Sequence, residues 1–231
     1  MRKFLVLTIT LCSSSFGLFA QNKADERLQD SSRVLHEIMD TPDKGIPQDL
    51  LNKAYCVVVI PGAKKAAFIV GGEYGKGFAV CRRHHAGWGA PAAVIMEGGS
   101  FGFQIGGADT DVVMLVMNEH GMKELDKSKV TLGADASVAA GPVGRTAAAD
   151  TDAFMTAEIL SWSRSKGVFA GIALKGASLR SDEKDNAEIY GQPMPNHDIL
   201  MTATPVPAAA RPLITELDRY SMHKDNADRT Q

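Results

Sequence analysis

The sequence predicts an α+β fold that is mainly β: a curled antiparallel sheet, barrel- or sandwich-like, with amphipathic helices at the N-terminal and C-terminal ends. Three observations carry this. Apolar and β-branched runs follow one another through short Gly- and Pro-rich turns. No helical pattern between them is long enough to serve as a parallel crossover. The 231 residues hold 22 glycines but only 9 Phe, 4 Tyr and 2 Trp, a composition that suits tightly turned strands.

Residues 1–20, MRKFLVLTITLCSSSFGLFA, place two basic residues before a short apolar run and end on small residues, the pattern of a secretory signal peptide. The run is shorter than the roughly 20 residues of a membrane span. Cys12 follows Ile-Thr-Leu, which lacks the small residue that lipoprotein processing prefers. The expected location is therefore periplasmic or secreted, without a lipid anchor. Removing residues 1–20 takes Arg2 and Lys3 and no acid, leaving 23 basic against 27 acidic residues. Bulk attraction to nucleic acid is not expected, so any anion site must be a local patch.

Residues 21–53 form an N-terminal helical segment. Leu28, Leu35, Ile38 and Met39 share one face of a helix over 24–39. Its polar face is mixed and slightly acidic rather than Lys/Arg-rich, so packing on the domain is expected. Thr41-Pro-Asp-Lys-Gly ends it, and Pro47 opens a second short helix. Residues 54–191 form a β-rich domain. Tyr55 to Ile60 is a β-branched run ended by Pro61-Gly62, and the segment from Ala66 to Arg83 reads as two strands around Gly-rich turns. Further strands are expected at 92–96, 101–105, 112–117, 130–140, 154–163 and 168–179, with short helices at 119–126 and 182–190. Residues 192–231 form a Pro-rich, extended tail and a C-terminal helix around Leu213, Ile214, Leu217 and Tyr220.

Gly98-Gly-Ser-Phe-Gly102 fits the G-x-S-x-G of a serine hydrolase, which needs a strand-to-helix turn after the nucleophile. Phe101, Phe103 and Ile105 instead alternate with small and polar residues at the period of a strand, and Ser100 is read as part of a hairpin turn. His120 and His197 are poorly placed as partners. Adjacent His84 and His85 would point to opposite faces of a strand, so no shared metal is expected. Asp109-Thr-Asp111 and Asp150-Thr-Asp152 are read as turns. Cys56 and Cys81 lie in apolar segments and read as buried thiols or incidental neighbours, with a disulfide allowed. No catalytic residue, metal or cofactor is expected.

Cations remain. If the strands pair as successive hairpins, Lys64 and Lys65 join the strand end that carries Arg82 and Arg83, with Lys76 in the intervening turn. Such a rim would bind phosphate, Arg through bidentate bonds and Lys as point charges. The alternative is that these are scattered, solvated turn residues.

From about Tyr55 to Gly191 the chain resembles the SYLF domain family, through Ile60-Pro-Gly, Gly71-Gly-Glu-Tyr-Gly-Lys-Gly77, Trp88-Gly-Ala-Pro91, Gly98 to Gly106, Ser137 to Arg145, Ser161-Trp-Ser-Arg-Ser-Lys-Gly-Val-Phe-Ala-Gly171 and Asn186 to Gly191. The resemblance implies a non-enzymatic module that binds phosphoinositides or other anionic lipids, with a yeast branch that also binds actin filaments. It adds Arg145, Arg164 and Lys166 as headgroup candidates at strand ends. The expected partner is thus an anionic phospholipid or membrane surface. The alternative is a structural or protein-interaction module of the envelope.

Overall fold

A computed structural model of the chain describes residues 22–41, 45–67, 71–83, 87–100, 106–144, 156–165 and 167–221. The order is α1 (Lys23–Met39), α2 (Gln48–Lys53), β1 (Cys56–Ala67), β2 (Gly71–Cys81), β3 (Ala92–Ser100), β4 (Gly106–Val116), α3 (Glu119–Leu125), β5 (Lys129–Thr131), β6 (Val138–Ala140), β7 (Ile159–Ser165), β8 (Val168–Gly171), β9 (Ser178–Ser181), α4 (Glu183–Tyr190), α5 (Asn196–Met201) and α6 (Arg211–Tyr220). Nine described strands form one strongly curled sheet, eight of them in the order β5-β9-β3-β2-β1-β4-β7-β6, and β8 pairs with β7 beyond β6 on the same edge. The architecture is α+β and mainly β, as expected. The sheet is mixed, because β6 runs parallel to β7 while every other described pair is antiparallel.

Both faces of the sheet are buried, which explains the uninterrupted apolar run of β1. Val57 and Val59 face one cluster, shared with Leu28, Leu35 and Ile38 of α1, Leu50 and Leu51 of α2 and Leu213 and Leu217 of α6. Cys56, Val58 and Ile60 face the other, with Leu125, Leu132, Leu174, Ile199 and Leu200. The helix α1 packs as its apolar stripe requires: Ala24, Leu28, Val34, Leu35 and Ile38 are buried, and Asn22 caps it by accepting from Ala24 N–H.

The family motifs turn out to build this sheet. Between Val59 and Lys64, β1 carries one more residue than either neighbour, a bulge at Pro61-Gly62. A central strand tolerates proline at such a point because a bulge releases the ladder bond that proline cannot make. The bulged strand presses on β2. A Cβ added at Gly77 would stand 1.9 Å from the Val59 carbonyl oxygen, and one at Gly75 2.6 Å from the Ile60 side chain. Gly75 and Gly77 are thus the room in which the Ile-Pro-Gly segment sits. Asn186 takes the Ala93 N–H and donates to Met194 O and Asn196 Oδ1, and Tyr190 donates to Pro91 O. These bonds fasten α4 to β3 and to the tail.

Several local expectations are corrected. Ser100, read as part of a hairpin turn, ends β3 opposite Gly71 of β2, and β4 pairs with β1 rather than β3. Asp109 and Asp111 lie within β4, not in a turn. The expected strand over 130–140 is two three-residue strands separated by a turn. The tail is not simply extended, since α5 forms within it behind Pro195. Cys56 and Cys81, read as thiols, are directly opposite in β1 and β2 and are joined by a disulfide. His84, His85, Asp150 to Asp152 and the strand expected at 101–105 lie outside the described residues.

The tail is held in part by His197 of α5, whose Nδ1 lies 2.7 Å from Asp126 Oδ2. That carboxylate raises the His197 pKa above its ordinary value. A raised folded pKa contributes stability that is complete below about pH 6.5, the unfolded value, and is lost as pH rises through the folded one. The urea midpoint should therefore fall slightly between pH 6 and pH 8. In His197→Gln that portion of the slope should vanish, while an unchanged slope would show that the pair does not contribute.

Candidate functional site

The register decides what the predicted cations can do. Lys64 pairs with Tyr74 of β2 and Asp109 of β4, whereas Arg82 follows the Cys56–Cys81 pair at the opposite end of the β1–β2 hairpin. The sheet therefore does not gather Lys64 and Lys65 with Arg82 and Arg83. The guanidinium of Arg82 donates to Ala54 O and Leu51 O and stacks 4.2 Å from the Trp88 ring centre. Burial lowers its pKa. Arg83 donates to Thr204 O, tying the tail to the domain. Lys76 lies in β2, not in a turn, and bonds Asp182 and Asp185. Although burial opposes its charge, these acids raise its pKa. Arg145 and Lys166 lie outside the described residues, as does the side chain of Lys65.

Lys64 and Arg164 do share a face. Alternation along the strands puts Lys64, Tyr74, Lys76, Glu97, Asp109, Asp111 and Arg164 on the face that carries α1, α2 and α6. Over this face α1 crosses from β2 to β7. At its start Arg27 pairs with Asp185, which also holds Lys76. At its end Glu37 pairs with Arg164, whose guanidinium also bonds Asp111 Oδ2 at 2.6–2.7 Å and lies 5.2 Å from the Phe169 ring. Asp111 in turn accepts the Gly62 N–H at 2.8 Å. Burial raises the Asp111 pKa and lowers that of Arg164.

Beside α1, on the side away from the helical core, a cleft of about 470 Å³ opens against the β1 bulge. Lys23, Arg27 and Arg33 of α1 and Arg164 of β7 supply four cations to its lining, and Glu26, Asp30 and Asp111 supply three acids, around Pro61 and Gly62. Arg33 pairs with Asp30 at 2.5 Å and keeps 64% of its side chain exposed. Among the described residues no ion pair holds Lys23. Sequence does not single out the α1 cations, because a helix face of mixed charge shows no excess. Only the crossing of the sheet turns one edge of that face toward Arg164.

Beyond the cleft, the ends of β1 to β4 extend past the helical layer. Their same-face side chains form a row: Asp109, Lys64, Tyr74 and Glu97, directly opposite one another on adjacent strands. Lys64 and Asp109 pair at 3.0 Å and are 75% and 70% exposed. Glu97 takes a 2.8 Å bond from Arg180 of β9. Ser100 ends a strand, His120 contacts Glu158 and His197 contacts Asp126, so these histidines are engaged elsewhere. Among the described residues, no cluster of three or more His, Cys, Asp or Glu could hold a metal, and no helix is long and apolar enough to cross a membrane.

Comparison with known proteins matches this chain to the Ysc84 family, described as Las17-binding protein actin regulator, over residues 97–220. It is similar to the human SH3 domain-containing YSC84-like protein 1, with 32% identity over 202 residues that make up 85% of this chain and 59% of the relative. It is also similar to two Saccharomyces cerevisiae proteins. Protein YSC84 is 32% identical over 80% of this chain and 41% of its own length. LAS seventeen-binding protein 3 is 34% identical over 76% and 39%. The chain thus spans between about four and six tenths of the curated relatives it matches. With the family match covering more than half of its residues, the chain belongs to the Ysc84, or SYLF, family.

Proposed function

We propose that this chain is a non-enzymatic lipid-binding protein of the cell envelope, exported by residues 1–20, that receives an anionic, phosphoinositide-like headgroup at the cleft between α1 and the β1 bulge. The observation that carries this is the cleft's lining of four cations, with Lys23 not ion-paired to any described acid. Its volume suits a headgroup, since small-molecule sites run from about 300 to 1,000 Å³. Lys64 extends the basic side along β1, and Lys65, Arg145 and Lys166 complete the candidate set. Arg82 and Arg83 act as positioning residues for the fold.

Flotation with vesicles of phosphatidylcholine alone or mixed with phosphatidylglycerol or phosphatidylinositol phosphate tests the reading. Binding is expected only with anionic lipid and should weaken with salt, because exposed charges are screened beyond about 10 Å at 0.1 M. Near a membrane each Lys or Arg contributes about 1 kcal/mol, so Lys23→Glu with Arg33→Glu should reduce binding at least about tenfold. Failure to bind either vesicle type would overturn the proposal. A protein-contact module without lipid specificity is the second reading, favoured by relatives named for actin regulation and Las17 binding. Retained capture of an envelope protein by the doubly reversed variant would support it.

A further inference from the structure

We infer that the exposed row across β4, β1, β2 and β3 is a docking face for a second copy of this chain, with a two-fold axis running along the strands through Tyr74. The charge order across the face carries the inference. In the register of the sheet the row reads Asp109, Lys64, Tyr74, Glu97, with Arg180 bonded to the far side of Glu97. Its signs are therefore minus, plus, aromatic, minus, plus.

Rotation about an axis parallel to the strands reverses this row and turns it over. Tyr74 then meets Tyr74 of the second copy, Lys64 meets its Glu97, and Asp109 meets its Arg180. All four charge contacts become attractive. An axis perpendicular to the strands would instead set Lys64 on Lys64 and Glu97 on Glu97, so the order of charges selects one geometry.

Tyr74 is 44% exposed, an unusual position for a large side chain in the middle of a sheet face. Gly72, two residues before Tyr74 on the same face of β2, leaves the neighbouring surface low. Two such faces can approach closely, as the inner faces of sheets do when they pack about 10 Å apart. Four strands spaced about 4.8 Å apart, with two or three same-face residues each, cover about 400 Å². A standard interface buries about 800 Å² on each side. The dimer is therefore weak and reversible, and it dissociates in salt. Glu97 neither lines the cleft beside α1 nor belongs to the headgroup candidates, so Glu97→Lys can abolish association while vesicle binding remains, and the two proposals stand or fall separately.

Sedimentation equilibrium of the folded chain over a wide concentration range tests the proposal. The average mass of the wild type should rise toward twice the monomer at high protein and low salt. Lys64→Glu alone and Glu97→Lys alone should each remain monomeric, because each places like charges together twice. An equimolar mixture of the two should regain the wild-type association. In the mixed dimer the two reversed side chains meet each other at one contact, and the untouched Lys64 meets the untouched Glu97 at the other. That rescue separates a broken contact from a damaged fold. A wild type that stays monomeric, association that survives both reversals, or a mixture that fails to recover would each overturn the proposal. So would a monomer whose vesicle binding, not its mass, responds to Glu97→Lys, because the face would then belong to a lipid surface.

Discussion

Replacing Trp162 by alanine should lower the unfolding free energy by about 3 to 5 kcal/mol, the cost of deleting a large buried aromatic side chain. Trp162 is fully buried on β7, and its indole N–H donates to Pro142 O at 2.9 Å. The chain at Gly141-Pro142 closes over the ring so tightly that a Cβ on Gly141 would stand 2.1 Å from the indole. Alanine would leave both a cavity and an unpaired carbonyl. Phenylalanine would keep most of the packing and lose the hydrogen bond, a smaller cost of about 1 to 2 kcal/mol. Urea unfolding followed by circular dichroism distinguishes the three. Val168→Ala, on an exposed strand position, is the control and should stay within about 0.5 kcal/mol. Equal losses in Trp162→Ala and Val168→Ala would show that the indole is not a keystone of the β6–β7–β8 edge.

Removing the disulfide should have the next largest effect. Cys56 and Cys81 close a segment with a sequence separation of 25. The restriction this places on the unfolded chain corresponds to about 3 kcal/mol. For a chain of this size that is a fall of roughly 6 to 12 °C in Tm. Cys56→Ala with Cys81→Ala should show it by calorimetry. Both cysteines are at most 1% exposed, so thiol reagents should find the reduced form only after urea. An unchanged Tm would mean that the strand pairing already constrains the chain as much as the bond does.

The elements themselves are largely legible. The apolar stripe of α1, the proline before α2 and the β-branched run of β1 are local signals, read within a dozen residues. What a neighbouring strand contributes is not local. The sequence alone reads Gly98 to Gly102 as a hairpin turn, yet Ser100 lies in β3 opposite Gly71, and β2 and β1 stand between β3 and β4. The helix α5 is hidden because the prolines around it resemble an extended tail, although it starts directly behind Pro195. The disulfide is hidden for a related reason: an apolar setting around a cysteine does not reveal the register that sets Cys56 opposite Cys81.

The candidate site divides along this line. Residue type alone marks Lys64, Lys76, Arg82, Arg83 and Arg164 as cations near turns or strand ends, and the family motifs identify the domain. A cation's availability, however, depends on what the fold places within a few ångströms of it. Lys76 meets Asp182 and Asp185 from a helix more than a hundred residues later, and Arg82 meets backbone carbonyls. The glycines of the Gly-Lys-Gly motif likewise read as turn residues until the bulge of β1 explains them as clearance. Composition, helix periodicity, strand identity and family were determined by the sequence by itself, because each rests on residues close together in the chain. Strand order, the disulfide, the pairing of the cations and the cleft beside α1 were decided only by tertiary structure, because charge and packing act over distances in space that sequence spacing does not encode.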